Sequence, residues 1–403
     1  MTAIGEEPVP PNLTYPQLFV RFLRFGLLAF GGPVAQIAMI RRELIDDEQW
    51  MSSGYFNRLL AVLQVLPGPE AHELCVHLGI RAKGRLGGLL AGLGFMLPGF
   101  VIMLGIGWAY VTFDSLVAML SGAFLGVQAA VVAIIMRAVQ KIGSHILEDG
   151  WLWGIAVGGA LATWVGAAFW IVLLAGGLVY SLSKSGRLWW ALVSFVAAVI
   201  LAAFFRAQPE GQIATDGLAT LSPAANGFFS MFWTGLMAGL LTFGGAYTAI
   251  PYVRTDTVGR GLITDGQFLD GIAFAGVIPA PLVIFITFVG FVVGGWTGAF
   301  AMTAGMFLPA FAFSMVFYDR LEAAVADARL HNILAGVAAA VVGIIAITSL
   351  QIGWATLERA PSIPIAFVIF LVALLTVWFW KSRYATVAIL FAAGIAGRFL
   401  LGA

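Results

Sequence analysis

Charged residues are scarce in this chain. Asp, Glu, Lys and Arg make up 10% of its 403 residues, whereas hydrophobic residues make up 61%. A soluble domain carries about 25% charged residues. The composition therefore excludes a water-soluble protein and predicts one that crosses the membrane many times. The formal net charge of +1 leaves no basic field, which excludes nucleic acid as a partner.

Cysteine and catalytic motifs are also lacking. Cys75 is the one cysteine, which excludes an internal disulfide framework and a cysteine-rich metal site. The sequence has no HExxH, no Walker loop and no GxSxG, so we predict a protein that is not an enzyme and uses no cofactor or metal. Residues 1–16 lack the basic segment of a signal peptide and are expected to form a disordered cytoplasmic tail.

The chain does contain two kinds of helix-breaking motif, and each occurs twice. The Phe-Gly-Gly segment at 30–32 recurs at 243–245, and the Pro-Gly-Pro segment at 67–69 recurs at 279–281 as Pro-Ala-Pro. Both kinds interrupt apolar runs in which a membrane helix would otherwise continue. A repeated pair of broken apolar helices is typical of secondary transporters, which bind their substrates at the breaks.

The repetition extends along the chain and indicates an internal duplication. Gly84 and Pro98, for example, have counterparts in Gly295 and Pro309, 211 residues later. We predict an all-α polytopic membrane protein with two inverted repeats, broken or re-entrant helices and about 13 transmembrane segments. The expected order is the tail at 1–16, an N-terminal repeat at 17–205, a linker at 206–226 and a C-terminal repeat at 227–403.

Positive charge predicts that the two repeats are inverted. The loop at 81–85 carries three Lys and Arg residues, whereas its counterpart at 291–296 carries none. The next loop reverses this bias, because only the second copy has Arg320 and Arg329. Since Lys and Arg mark the cytoplasmic side, we expect a cytoplasmic N-terminus. This tracing places the segment 41–48 on the outer side.

The breaks predict an anion-binding site. A half-helix that begins inside the membrane presents unpaired N–H groups and a positive dipole end. Arg41 or Arg42, depending on the register, corresponds to Arg254, and a guanidinium fork suits a tetrahedral oxyanion. The alternative is that these arginines are interfacial anchors. The predicted substrate-binding residues are Gly31, Gly32, Pro33, Arg42, Pro67, Gly68, Pro69, Gly244, Gly245, Arg254, Pro279 and Pro281.

A stripe of ionisable residues follows the first Pro-Gly-Pro break. Glu70, Glu73, His77 and Arg81 are three, four and four residues apart, so they share one helix face. Ionisable residues at membrane depth are costly and mark function, but carboxylates repel an anion. We therefore predict that Glu70, Glu73 and His77 are proton-coupling groups. The alternative is an internally neutralised network near the cytoplasmic face.

These motifs resemble those of the chromate ion transporter family in its two-domain, long-chain form. The segments 30–38, 66–71 and 84–98 resemble the family's amino-terminal motif block, and 243–309 resembles its carboxy-terminal copy. The resemblance covers essentially the whole chain. It implies a bacterial inner-membrane protein that exports chromate and confers chromate resistance, with sulfate as the natural look-alike.

Two residues depart from the family pattern. Ala280 stands where the second Pro-Gly-Pro usually has glycine, and His72 stands where a polar amide is expected. Both lie beside the predicted site.

The predicted function is secondary active export of chromate, driven by the membrane potential or the proton motive force. A cell is negative inside, so voltage drives a dianion outward. The alternatives are a proton-coupled importer of sulfate or another oxyanion, a passive anion channel and a lipid-handling enzyme. The expected partners are chromate or sulfate and the lipid bilayer, and a homodimer is left open.

Overall fold

The computed structural model describes residues 8–30, 32–63, 66–113, 119–167, 169–187, 227–242, 246–316, 328–380 and 385–402, together with 189, 190, 193, 194, 197 and 382. This described part is almost entirely helical. In chain order its main α-helices are α1 (Tyr15–Leu27), α2 (Gly32–Ile40), α3 (Ser53–Leu63), α4 (Glu70–Thr112), α5 (Ser121–Ile146), α6 (Gly150–Trp164), α7 (Phe169–Lys184), α8 (Phe228–Leu240), α9 (Ala249–Thr257), α10 (Asp265–Val277), α11 (Phe285–Val316), α12 (Ala328–Arg359), α13 (Ile363–Phe379) and α14 (Ala385–Leu400).

Three shorter helical turns adjoin these helices. A π-helical turn, Arg41–Asp47, continues α2, and 3-10 turns at Ala246–Thr248 and Leu282–Ile284 lead into α9 and α11. Four described segments are long and apolar enough to cross a membrane, namely α4, α5, Leu282–Val316 and Asn332–Arg359. Shorter apolar helices accompany them. The prediction of an all-α polytopic membrane protein is confirmed.

Two of the longest apolar helices, α4 and α11, are tight helical hairpins. The backbone of Gly84 has φ 66° and that of Gly295 has φ 59°, a left-handed conformation that glycine adopts at little cost. In α11 the hydroxyls of Thr287 and Thr303 are 2.7 Å apart, although sixteen residues of continuous helix would separate them by about 24 Å. We call the part of each hairpin before its turn the first arm and the part after it the second arm. Each first arm begins at the Pro-x-Pro break and runs outward to the hairpin turn at the surface.

The helices around the Phe-Gly-Gly breaks also fold back. In the first repeat Arg21 and Arg24 of α1 bind Glu43, in the π-helical turn. In the second repeat the Thr234 hydroxyl donates to Asp256 of α9. Thr234 and Asp256 are the counterparts of Arg21 and Glu43, 213 residues on. In each repeat the described segments on the two sides of the break therefore run back alongside each other.

This folding back overturns the expected position of the segment 41–48. Its acids Glu43 and Glu48 bind Arg21, and Arg24 binds Glu43 as well, so the segment lies on the face from which α1 starts. The tracing was wrong because it treated α2 as the continuation of a spanning helix. We call this surface the Lys83 face, since the α4 hairpin turns there and Lys83 donates to Asn12.

The second arms of α4 and α11 pack against each other in opposite directions. Phe311 lies against Gly92, and the rings of Phe100 and Phe300 are 5.2 Å apart. Residue numbers increase along the second arm of α4 in the direction in which they decrease along that of α11, so the two arms are antiparallel. Their hairpin turns therefore lie at opposite ends of the contact. The two hairpins therefore run in opposite directions, as inverted repeats require, and the α11 turn lies on a second surface, here called the Arg254 face. The predicted linker at 206–226 lies outside the described residues, so its boundaries stay a prediction.

The remaining helices surround this central pair. The hairpin of α6 and α7 is closed at its ends by Asp149, which caps α6 through the Leu152 N–H, accepts from the Tyr180 hydroxyl and pairs with Lys184 at 2.9 Å. Partial desolvation raises the pKa of Asp149, but the hydrogen bonds from Lys184, Leu152 and Tyr180 outweigh it and lower that pKa overall.

Candidate anion site

Four returning half-helices begin inside the protein, two from each repeat. Their first described residues are Gly32, Glu70, Ala246 and Leu282. Each start leaves backbone N–H groups without helical partners and carries the positive end of a helix dipole. Hydrogen bonds at two junctions connect the Pro-x-Pro break of each repeat with the chain beside the Phe-Gly-Gly segment of the other repeat.

The first junction is made by Gln36 of α2, which is 1% exposed. Its Nε2 donates to the carbonyl oxygens of Ala29 and Ala280, both at 2.9 Å. Ala29 precedes the Phe-Gly-Gly break of the first repeat, and Ala280 is the middle residue of the Pro-Ala-Pro break of the second. One buried amide therefore ties the two repeats together at their interruptions.

The second junction is its counterpart by pseudosymmetry. The backbone N–H of Gly68, in the Pro-Gly-Pro break, donates to the carbonyl oxygen of Thr242 at 2.8 Å. Thr242 precedes the Phe-Gly-Gly segment of the second repeat, as Ala29 precedes that of the first. Each Pro-x-Pro break therefore contacts the Phe-Gly-Gly side of the other repeat. Unwound backbone at this depth persists only where protein or a wet cavity satisfies it.

The predicted binding residues divide according to what the structure describes. Gly31, Gly244 and Gly245 lie outside the described residues, so their part in the site stays a prediction. The structure places Gly68 at the second junction, and Ala280, between Pro279 and Pro281, at the first. Gly32 and Pro33 begin α2, four and three residues before Gln36, while Pro67 and Pro69 flank Gly68.

The two repeats carry different side chains directly after their Pro-x-Pro breaks. Glu73 lies one turn inside the first arm of α4, and its carboxylate touches the backbone of Gly68. Phe285 takes the corresponding place in the second repeat. Glu70 is 9% exposed and Glu73 is fully buried. Neither carboxylate oxygen of Glu73 has a hydrogen-bond partner in the described chain, so the predicted neutralised network does not reach this residue by a hydrogen bond.

The other members of the stripe point toward the Lys83 face. His77 is 2% exposed and stacks on Tyr55 with ring centroids 6.4 Å apart. Arg81 lies over the same Tyr55 ring and donates to the Pro8 carbonyl oxygen at 3.0 Å. His72 is off the stripe and packs edge-on against Phe307. The acids thus lie at the junction, and the basic end of the stripe lies at the surface.

A cavity of about 470 Å³ opens beside the first Phe-Gly-Gly break, and Arg42 is one of its exposed residues. Within the described chain Arg42 has no ion-pair partner, whereas Arg41 contacts Asp46 at 3.7 Å and the Phe56 ring. The cavity therefore offers one uncommitted guanidinium close to the break. Its lining residues are Arg24, Leu28, Phe30, Met39, Arg42, Glu43 and Asp47.

Arg254 is in a different state from Arg42. Its Nε donates to Asp265 Oδ1 at 2.7 Å and its Nη2 donates to Oδ2 at 3.2 Å, so the fork is occupied by a carboxylate. The position in the first repeat that corresponds to Asp265 is Ser53, which cannot form such a pair. The structure therefore does not bring Arg42 and Arg254 together, and they lie on opposite faces.

Sequence reasoning missed two polar groups that the structure makes prominent. Gln36 and Asp270 are each buried in an apolar half-helix, with 1% and 3% of their surface exposed. The available signal was the same for both, since a single strongly polar residue inside an apolar run is costly unless it is paired. The proline and glycine motifs drew attention away from them.

Comparison with known proteins agrees with this architecture. A family model described as chromate transporter matches residues 16–182 and again 229–398, one match for each repeat. The chain is 58% identical over 396 residues to a chromate transport protein of Pseudomonas aeruginosa, covering 97% of this chain and 94% of that one. It is 31% identical to a probable chromate transport protein of Synechococcus elongatus, covering 96% of each chain.

A third relative, a chromate transport protein of Cupriavidus metallidurans, is 34% identical, with 78% of this chain and 77% of that one covered. No solved structure matches. The two family matches fall one in each half of the chain, and the relatives from Pseudomonas aeruginosa and Synechococcus elongatus match over nearly its full length. The chain therefore belongs to the chromate transporter family.

Proposed function

We propose that this protein exports chromate from the bacterial cytoplasm across the inner membrane and thereby confers chromate resistance. The observation that carries this proposal is the meeting of the breaks of both repeats through Gln36 and Gly68. Half-helix starts that meet from opposite faces suit a tetrahedral dianion bound midway across the membrane. Membership of the family and the names of the relatives supply the identity of the anion.

The proposal assigns different roles to the two arginines. Arg42, uncommitted in the cavity, makes the first contact with the oxyanion on the Lys83 face, which is taken as cytoplasmic. The anion then moves to the N–H groups at the breaks. Arg254 lies on the other face, at the position that corresponds to Arg41 in the 213-residue register, and it holds the leaving anion after it separates from Asp265.

The membrane potential supplies a direction for this transport. Moving one charge through 100 mV is worth about 2.3 kcal/mol, so a dianion gains about 4.6 kcal/mol. At about 1.4 kcal/mol per tenfold, this energy sustains a gradient of roughly a thousandfold. Because cells are negative inside, export of the dianion needs no other source of energy, whereas import would have to overcome the same electrical energy.

The direct test is radiolabelled chromate flux in proteoliposomes whose potential is set by potassium and valinomycin. Vesicles with a negative interior should lose internal chromate faster than vesicles at zero potential, and the rate should saturate with chromate. Flux that ignores the potential would contradict an electrogenic exporter, and flux that never saturates would favour a channel. A parallel assay with sulfate measures the preference between the two dianions.

A matched pair of arginine variants tests the cavity. Arg42→Ala should raise the KM for chromate about five- to tenfold, the effect of losing about 1–1.4 kcal/mol of ionic contact. Arg41→Ala is the control, because that neighbouring side chain is already engaged by Asp46 and Phe56. Equal KM values in both variants and the wild type would remove Arg42 from the site.

The buried Glu73 carboxylate favours one second candidate, a proton-coupled importer of sulfate or another oxyanion. A charge without a partner at this depth is costly, and a bound proton would remove it. In that function Glu70, Glu73 and His77 carry protons inward with the anion. Acidifying the outside of the vesicles should then accelerate sulfate uptake, whereas the exporter predicts no such acceleration.

A further inference from the structure

A second buried acid lies away from the breaks, in a cluster that joins the two repeats. Asp270 of α10 is 3% exposed. Its Oδ2 accepts from the Tyr110 hydroxyl of α4 at 2.9 Å, and its Oδ1 accepts from Gln128 Nε2 of α5 at 2.8 Å. Tyr110 and Gln128 belong to the first repeat and Asp270 to the second.

The surroundings of this cluster are apolar. The Tyr110 ring packs edge-on against Phe288 at 5.0 Å, Phe124 at 6.0 Å and Phe274 at 6.3 Å. Tyr110 of α4 and Gln128 of α5 donate to Asp270, and Arg359 of α12 acts on it electrostatically. The other helices packed on α10 contribute apolar side chains: Phe288 of α11 lies against Gly271 and Phe274, and Leu390 of α14 lies against Gly276. Only Tyr110 and Arg359 of these can carry charge.

Two features of the cluster are unexplained by packing. In the described chain Asp270 has no ion pair, although a buried carboxylate is costly without one. The Oε1 of Gln128 is buried and has no hydrogen-bond partner. The corresponding residue of the first repeat is Arg58, so the acid is specific to the second repeat.

We propose that Asp270 is a proton-binding site of the transport cycle, loaded from the Arg254 face while the oxyanion leaves. The inference rests on the proposed function and extends it to oxyanion–proton antiport. Asp270 lies five residues after the start of α10, and Gly266 beside that start contacts Arg359 at the end of α12. The site is therefore close to the surface opposite the Arg42 cavity.

The chemistry of the cluster links this proton to the contact between repeats. The carboxylate accepts hydrogen bonds from both Tyr110 and Gln128. The neutral acid gains an O–H that can donate to the Gln128 amide oxygen after the amide rotates, which gives Oε1 the partner it lacks. Gaining or losing one proton thus changes the bond that holds α10 to α5, which is one of the contacts between the two repeats.

The test separates exchange from coupling in proteoliposomes of the full chain. Chromate–chromate exchange, with no gradients, measures transport itself. Net chromate efflux, at zero potential and with the outside acidic, measures proton coupling. For the wild type, the inward proton gradient should accelerate efflux severalfold. Asp270→Asn should keep at least half of the exchange rate and lose this acceleration. Asp149→Asn, an acid at the end of the α6–α7 hairpin, is the control and should keep both.

The outcomes distinguish this proposal from the proposed function. Absence of wild-type exchange would remove the transport function, whereas exchange without a response to the proton gradient would overturn the proton site alone. Acceleration retained in Asp270→Asn would also overturn it. If Asp270→Asn loses exchange, Tyr110→Phe decides, because losing a donor to the carboxylate should move the pH midpoint of net efflux upward by about one unit. An unchanged midpoint overturns the proposal.

Discussion

Replacing Gln36 tests the junction on which the anion site depends. Gln36→Leu removes the amide that donates to Ala29 and Ala280, each at 2.9 Å, in a place where 1% of the side chain is exposed. The two carbonyl oxygens would then be buried without a donor. Because one of them belongs to each repeat, the substitution acts on the contact between repeats as well as on the local break.

The magnitude follows from the two lost bonds. Leaving a buried polar group unsatisfied costs about 1–3 kcal/mol, so Gln36→Leu should lower the free energy of unfolding by about 2–6 kcal/mol. Gln36→Glu should be at least as damaging, because an ionised carboxylate would face two carbonyl oxygens and has no proton to donate. Chromate flux should fall with either change, since the half-helix starts lose their mutual alignment.

Thermal unfolding in detergent and chromate flux in proteoliposomes measure the two effects. The control is Gln140→Leu, which removes an exposed amide on α5 whose one side-chain hydrogen bond among the described residues is with Arg137, and it should leave both measurements near the wild type. The reasoning is refuted if Gln36→Leu unfolds at the wild-type temperature, or if the control loses as much stability as the test variant.

Three further predictions concern backbone and surface. Gly84→Ala should lower the free energy of unfolding by about 1–2 kcal/mol, because the backbone at the hairpin turn has φ 66° there. Gly105→Ala is the control and should leave it unchanged, because no neighbouring atom lies where the added Cβ would be. Unfolding temperatures of the two variants measure the difference. Gly68→Ala would put Cβ 2.4 Å from Glu73 Oε1, so flux should fall, and wild-type flux would exclude this close approach. Asp149→Asn should lower the unfolding temperature near neutral pH. That difference should begin to shrink as pH falls below 3.8, the ordinary pKa of the carboxyl group, and should close as pH falls through the lowered pKa of Asp149 in the folded protein; a gap that persists in acid would contradict the capping role.

The architecture was accessible from the sequence because its signals are local and repeated. The two copies of each break predicted re-entrant helices, and the glycine at each hairpin turn, Gly84 and Gly295, was part of the detected repeat. The inversion followed from the loop charges. The direction of α2 was not accessible, because it depends on the ion pairs of Glu43 with Arg21 and Arg24, which are contacts between distant residues.

The site was predicted less completely than the fold. Motif spacing identified the prolines and glycines of the breaks, but it could not show that each Pro-x-Pro break meets the Phe-Gly-Gly side of the other repeat. Pairing of Arg254 with Asp265 depends on rotamers and on the start of α10, neither of which composition or periodicity reports. Gln36 and Asp270 required the same knowledge of partners across the repeats.

The two repeats have unequal shapes in this structure, and this difference bears on the proposed transport cycle. On the Lys83 face, Met39 borders an open cavity, while its counterpart Tyr252 packs against Phe169. If each repeat adopts the shape that its twin has now, the vacant volume appears beside Tyr252 and the space beside Met39 is filled. We therefore expect the second state of the proposed cycle to exchange the local shapes that the two repeats have in this structure.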